Sequence, residues 1–217
     1  MNADKKQREK YARRPSQLGQ RKAHSCKQLE CLLIQRGFVQ LEELSCALKF
    51  SLWYRGDLAY AWLKHFASKE VREFAPIILA QTDTTAGFLS QSPVALNLAK
   101  NRPINQAVLA TFASLQCAKQ SHRVPRIHRH FVRQASKIST ILPNKKSFRV
   151  VKDPLHREFL RYFGGLYSTS ANRTKEAFSL EFALQVADII ALDSRGLYED
   201  KPSAIYRLSR TRKRRAR

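Results

Sequence analysis

The sequence predicts an α/β fold, one sheet with helices packed on it. Three observations carry this. Short strand-like runs recur at residues 75–80, 107–112, 137–142, 147–151, 166–170, 188–192 and 203–208, with helical patterns at 94–100, 154–163 and 177–187 between them. The run at 75–80, Ala-Pro-Ile-Ile-Leu-Ala, has no polar position, as a strand covered on both faces requires. At 217 residues and 43% apolar content, the chain can bury one sizeable core and is short for two full domains.

Taken in order, residues 1–28 are polar and basic, with too little apolar area to offset the entropy of ordering, and read as a disordered arm. Residues 29–73 read as a helical extension. Leu29, Leu32, Leu33, Leu41, Leu44 and Leu48 recur at helical spacings interrupted by Gly37, and Leu58, Ala61, Trp62, His65 and Phe66 share a face of a further helix over 58–74. His65 reads as a packed side chain. The sheet domain spans 74–208, and its first strand runs into a polar loop at 81–87, Gln-Thr-Asp-Thr-Thr-Ala-Gly. A basic tail closes the sequence at 209–217.

Composition narrows the partners. The formal charge of +23, from 40 basic and 17 acidic residues, repels itself in a compact state and points to a regular anionic partner. No apolar run of about 18 residues reads as a membrane span. The four cysteines lack Cys-x-x-Cys spacing, so no metal site is expected and the thiols suit a reduced, cytoplasmic setting.

Chemistry concentrates in three places. The stretch 164–173, Gly-Gly-Leu-Tyr-Ser-Thr-Ser-Ala-Asn-Arg, reads as a strand leaving its sheet, with Ser168, Ser170 and Asn172 on one face where they can grip one ligand. Between Asp83 and Asp153 there is no acid and there are twelve basic residues, where an ordinary solvated face would mix signs. Within that window Arg123, Arg126, Arg129 and Arg133 are spaced 3, 3 and 4, which on a helix makes a guanidinium stripe about 15 Å long suited to RNA, with His128 and His130 among them. Lys100 and Arg102, stiffened by Pro103, can converge on a polyphosphate as a point charge and a fork.

The order of these pieces resembles the YrdC-like family. Thr82-Asp83-Thr84 follows a buried strand. Then come Lys100-x-Arg102-Pro103, Ser147-Phe148-Arg149-Val150, Ser168-Thr169-Ser170-Ala171-Asn172 and Pro202-Ser203-Ala204-Ile205. Among them Ser-Thr-Ser-Ala-Asn is the specific motif, and the similarity covers 74–208. The family includes threonylcarbamoyl-AMP synthases, which begin threonylcarbamoyladenosine modification of tRNA. The resemblance implies a twisted mixed sheet flanked by helices, with an electropositive concave face. On that face Lys100 and Arg102 would hold ATP phosphates, Ser168, Ser170, Asn172 and Arg149 would line the same cavity, Thr82 and Thr84 would face threonine, and Ser203 would come from the late strand. The sequence departs from the family pattern at Gln81, where proline is usual, and at 133–136, where a Trp-Pro-Gly-Pro-like turn is usual.

The activity so implied condenses threonine, bicarbonate and ATP, with Mg²⁺ bridging the phosphates, to threonylcarbamoyl-adenylate and pyrophosphate. Such chemistry needs charge stabilisation and alignment rather than a covalent nucleophile. The alternative is a non-catalytic member that binds double-stranded RNA or tRNA through the arginine stripe and the basic tail.

Overall fold

The computed structural model describes residues 26–41, 50–65, 75–174 and 176–217. Of the disordered basic arm expected over 1–28, residues 1–25 lie outside the described residues and 26–28 instead begin a helix; the continuations expected over 42–49 and 66–74 also lie outside the described residues, as does the side chain of His65. Seven α-helices are described: α1 (Cys26–Gln35), α2 (Asp57–His65), α3 (Pro93–Ala99), α4 (Leu115–Ala118), α5 (Arg129–Gln134), α6 (Pro154–Phe163) and α7 (Leu180–Val186). They flank one mixed sheet of eleven strands: β1 (Val39–Gln40), β2 (Ser51–Tyr54), β3 (Ile78–Gln81), β4 (Ala86–Ser90), β5 (Leu109–Phe112), β6 (Ile138–Ile141), β7 (Ser147–Val150), β8 (Leu166–Ser170), β9 (Ile189–Leu192), β10 (Ala204–Leu208) and β11 (Lys213–Arg215). The spatial order is β1-β2-β9-β3-β4-β8-β5-β7-β6-β10-β11.

Two faces of the sheet are treated differently, because strand residues alternate. On one face Leu79, Ala86, Phe88, Ile190 and Leu192 pack under α1, α3 and α7, and Ala110, Phe148 and Val150 pack under α4 and α5. Among the described residues the other face is covered over only half its width. There Leu52, Ile78, Ala80, Leu89, Leu166, Ile189 and Ala191 meet Ala59, Trp62 and Leu63 of α2 and Phe159, Leu160 and Phe163 of α6. Trp62 stacks on Phe163 with ring centroids 5.5 Å apart. Each such buried side chain contributes about 1.5–3 kcal/mol, which anchors the two helices on that half. From β8 outward the same face mixes hydroxyl and basic side chains with a few apolar ones. Ser168 opposes Leu109, and further out Ser147, Ile141, Arg207 and Arg214 oppose one another in turn across β7, β6, β10 and β11.

Helix α6 shows why these residues fold as they do. Asp153 caps it by accepting from the His156 N–H at 2.9 Å, Pro154 occupies the first turn, and Gly164 ends it at φ 75°. Gly165 follows at φ 134°, a conformation closed to other residues, with a Cβ there 2.6 Å from the Phe112 ring. Gly165→Ala is therefore expected to lower unfolding stability by about 1–3 kcal/mol in a urea titration, through overpacking and backbone strain together.

Three expectations change. The segment 29–73 is not purely helical, since Ser51–Tyr54 is a strand that pairs antiparallel with β9, so this part of the chain extends the sheet. The polar loop after β3 is shorter than expected, because Ala86–Ser90 is strand β4, hairpinned onto β3. The basic tail also joins the sheet: Lys213–Arg215 pairs antiparallel with β10, and Lys213 Nζ sits 3.9 Å above the centre of the Phe131 ring. Among the described residues no helix is long and apolar enough to cross a membrane.

Candidate functional site

The uncovered half-face forms a cavity of about 490 Å³, lined by Thr82, Thr84, Gly87, Ser139, Arg149, Ser168, Ser170, Ser203 and Arg217 among others. Its walls come from sequence positions as far apart as Thr82 in the β3–β4 loop and Arg217 after β11. Gly87 is required in one wall, since a Cβ there would stand 2.8 Å from Thr82 Cγ2 and 3.2 Å from the Thr169 carbonyl.

Lys100 and Arg102 reach the end of strand β8. Ser92 caps α3 through the Ala95 N–H, and Lys100 is the residue that closes the helix. Asn97, buried in that helix, donates to the carbonyls of Ile104 and Gln106 at 2.9 Å each and so fixes the loop that follows. Held there, Lys100 Nζ donates to the Ser170 carbonyl at 2.6 Å and to Asn172 Oδ1 at 3.1 Å. Arg102 donates from Nη1 to Thr169 Oγ1 and from Nε to Thr174 Oγ1, both at 3.3 Å. Burial first, and the Arg102 charge second, push the Lys100 amine down to about 8. Asn172 is itself fixed, accepting from Ser170 Oγ at 2.5 Å and donating to the Glu176 carbonyl.

Arg149 stands in the cavity floor with all five N–H groups engaged. Nη1 bonds Asp83 Oδ1 at 2.6 Å and Thr84 Oγ1 at 3.4 Å. Nη2 bonds Ser203 Oγ at 2.7 Å and Ser139 Oγ at 2.9 Å, and Nε bonds Ser139 Oγ at 3.3 Å. The guanidinium thus ties β7, β6, the 203 position and the β3–β4 loop together. Thr82 shapes that loop, its Oγ1 donating to the Thr85 carbonyl at 2.7 Å while accepting from the N–H groups of Thr84 and Thr85. Burial alone would raise the Asp83 carboxyl, but His156 and the Arg149 charge outweigh it and hold the group below its usual range.

At the same edge Gln81, which departs from the family pattern, accepts from the Tyr198 N–H at 2.9 Å, an N–H that proline could not serve. Arg195 binds Asp193 and Asp153 and donates to the Gln81 carbonyl, fixing the end of β3 against the start of α6.

Six of the nine residues assigned from the sequence to nucleotide and threonine, Thr82, Thr84, Arg149, Ser168, Ser170 and Ser203, line one hollow, whereas Lys100, Arg102 and Asn172 are outside its lining and meet at the end of β8, where Arg102 bonds Thr169, the residue in register with Phe88. The arginine stripe does not form as expected. Pro125 interrupts it, leaving Arg123 in a loop, Arg126 in a 3₁₀ turn and only Arg129 and Arg133 in α5. Arg129 folds back to donate to the Val124 carbonyl, and His128 is buried with Nε2 3.1 Å from the Ser209 carbonyl, so neither joins an exposed row. Ser139, Asp83 and Arg217 are among the site residues that escaped the sequence reading, Ser139 accepting from two nitrogens of Arg149. Asp83 was seen only as part of a loop, and its pairing with Arg149 spans 66 positions. Arg217 reaches the cavity because β11 folds back along β10, where its Nη2 donates to the Ser203 carbonyl at 3.1 Å.

No protein-family model matches the chain, and no curated protein matches it in sequence. Solved structures match it in fold. YciO of E. coli superposes with a TM-score of 0.53 at 15% identity, over 68% of this chain and 85% of that one. Full-length HypF in the phosphate- and nucleotide-bound form gives 0.54 at 14%, over 77% of this chain and 25% of that one. Sua5 of P. abyssi complexed with L-threonine gives 0.50 at 14%, over 61% of this chain and 47% of that one. This chain thus spans about a quarter of HypF and about half of Sua5. The fold is YrdC-like, a mixed sheet with one half-face left open as a basic, hydroxyl-lined hollow.

Proposed function

We propose that the chain acts as an L-threonylcarbamoyladenylate synthase, condensing threonine, bicarbonate and ATP for tRNA modification. One observation supports this above the rest: Lys100 and Arg102 bond the Ser168–Asn172 segment, and Ser168 and Ser170 of that segment line a cavity together with Arg149 and Ser203. Its volume, about 490 Å³, lies in the range of small-molecule sites. In this reading Lys100 and Arg102 hold the triphosphate, and the serine hydroxyls orient the nucleotide. Thr82, Thr84 and Arg149 receive threonine, whose carbamate attacks the α-phosphate as pyrophosphate leaves. Mg²⁺ would take its oxygens from the triphosphate, because Asp83, the carboxylate beside the floor, is buried and bound to Arg149, and it would neutralise charge on the departing phosphates. HypF in a nucleotide-bound form and Sua5 with L-threonine, both similar in fold, agree with these two ligand classes.

Calorimetry with ATP and L-threonine, singly and together, tests the reading. Coupled binding of both is expected; no heat from either overturns it.

A second reading, a non-catalytic RNA-binding member, is favoured by the outer part of the open face, where Arg207 and Arg214 stand opposite each other beside the cavity wall strand β6. RNA affinity that falls steeply with salt, without threonine-dependent ATP turnover, would select it over the first.

A further inference from the structure

Under the cavity floor three titratable side chains from three elements meet. Asp83 comes from the β3–β4 loop, Arg149 from β7 and His156 from the first turn of α6. His156 is 1% exposed, and its Nδ1 accepts from the Asp83 N–H at 3.2 Å while lying 3.7 Å from Asp83 Oδ1. His156 Nε2 and Asp83 Oδ2 are both buried without a hydrogen-bond partner among the described residues. The nearest further charges are Asp153, the cap of the same helix, which accepts from the His156 backbone N–H, and Arg195, 3.0 Å from Asp153. The site explained above uses Asp83 and Arg149 and leaves His156 without a role.

Arg149 can serve an anion in the cavity only by turning some of its donors away, since all five are taken. Releasing Asp83 would strand a buried carboxylate, which is strongly unfavourable. His156 stands where it can take over. A proton on Nδ1 changes that atom from acceptor of the Asp83 N–H to donor toward Oδ1, half an ångström beyond its present hydrogen-bond distance. We infer that His156 is a positioning residue that binds a proton from solvent when a carboxylate ligand draws Arg149 off Asp83, so that anion binding and proton uptake are coupled. This rests on reading the cavity as the threonine site.

Calorimetric titration of the full chain with L-threonine, in buffers of different ionisation enthalpy at pH 6.5, reads the coupling directly. Threonine itself does not titrate there, and Lys100, at about 8, is already charged. The wild type is expected to take up between a few tenths and one proton per threonine, with affinity weakening up to tenfold per pH unit as pH rises. His156→Gln, which keeps an acceptor but cannot titrate, is expected to bind with no uptake and a flat pH profile. Nitrogen chemical shifts of the wild-type His156 ring supply a readout independent of that variant's folding and are expected to move toward imidazolium on threonine addition. Binding without proton uptake, or with ring shifts that do not move, overturns this inference and leaves the threonine site standing. No binding at all overturns both.

Discussion

If the chain has the proposed synthase activity, Lys100→Ala is expected to lose about two to three orders of magnitude in pyrophosphate release from threonine, bicarbonate and ATP, the scale of one missing oxyanion donor. Among the described residues the amine bonds a carbonyl and an amide oxygen and pairs with no carboxylate, which on the proposed reading leaves its charge for an incoming anion. Its depressed value of about 8 gives the loss a pH signature. As pH rises through 8 the free protein gives up the ammonium, and kcat/KM falls, whereas Lys100→Arg keeps its charge and shows no such fall. Stability runs the other way. Between about 8 and the ordinary 10.5 the folded chain binds fewer protons at this position than the unfolded chain, so ΔG of unfolding rises with pH across that window. A Lys100→Ala chain as fast as wild type would remove this residue from the site.

Asp83→Ala is expected to cost about 3–5 kcal/mol in urea-induced unfolding, because it leaves the Arg149 guanidinium buried and unpaired. Replacing both partners, as in Asp83→Leu with Arg149→Met, should recover most of that loss, since two apolar side chains need no compensation there. Acid separates the variants further. A carboxyl held below its ordinary value contributes stability that is complete above 3.8 and disappears as pH falls through its lower folded value. The wild type therefore loses stability in that acid window, and the double variant lacks this component. Equal stability of Asp83→Ala and wild type would show that the pair carries no structural weight.

Legibility in the sequence followed how local each cause was. Helix α6 was readable because its cap, its proline and its closing glycine are adjacent, and Pro154–Phe163 coincides with the expected range. Strands β6, β7 and β8 were readable as β-rich runs bounded by turn residues. Strand β4 was not, because Ala-Gly-Phe-Leu-Ser carries a glycine demanded by the neighbouring threonine rather than by any turn. Strand β11, Lys-Arg-Arg, has no strand signal at all and forms because β10 offers it an edge. In the site, the Ser168–Asn172 motif could be read directly, whereas the five bonds of Arg149 depend on strands brought together from across the chain. The arginine stripe failed at Pro125, whose effect on the helix outweighed the spacing.

An open sheet has two rims, and each rim of this one resists growth in its own way. Strand β1 offers two residues, too few to template another chain, while β11 presents three exposed cations in a row. Copies approaching rim to rim at β11 would bring like charges together, which disfavours growth into ribbons at that edge. That protection is electrostatic and weakens as added salt shortens the reach of the charges.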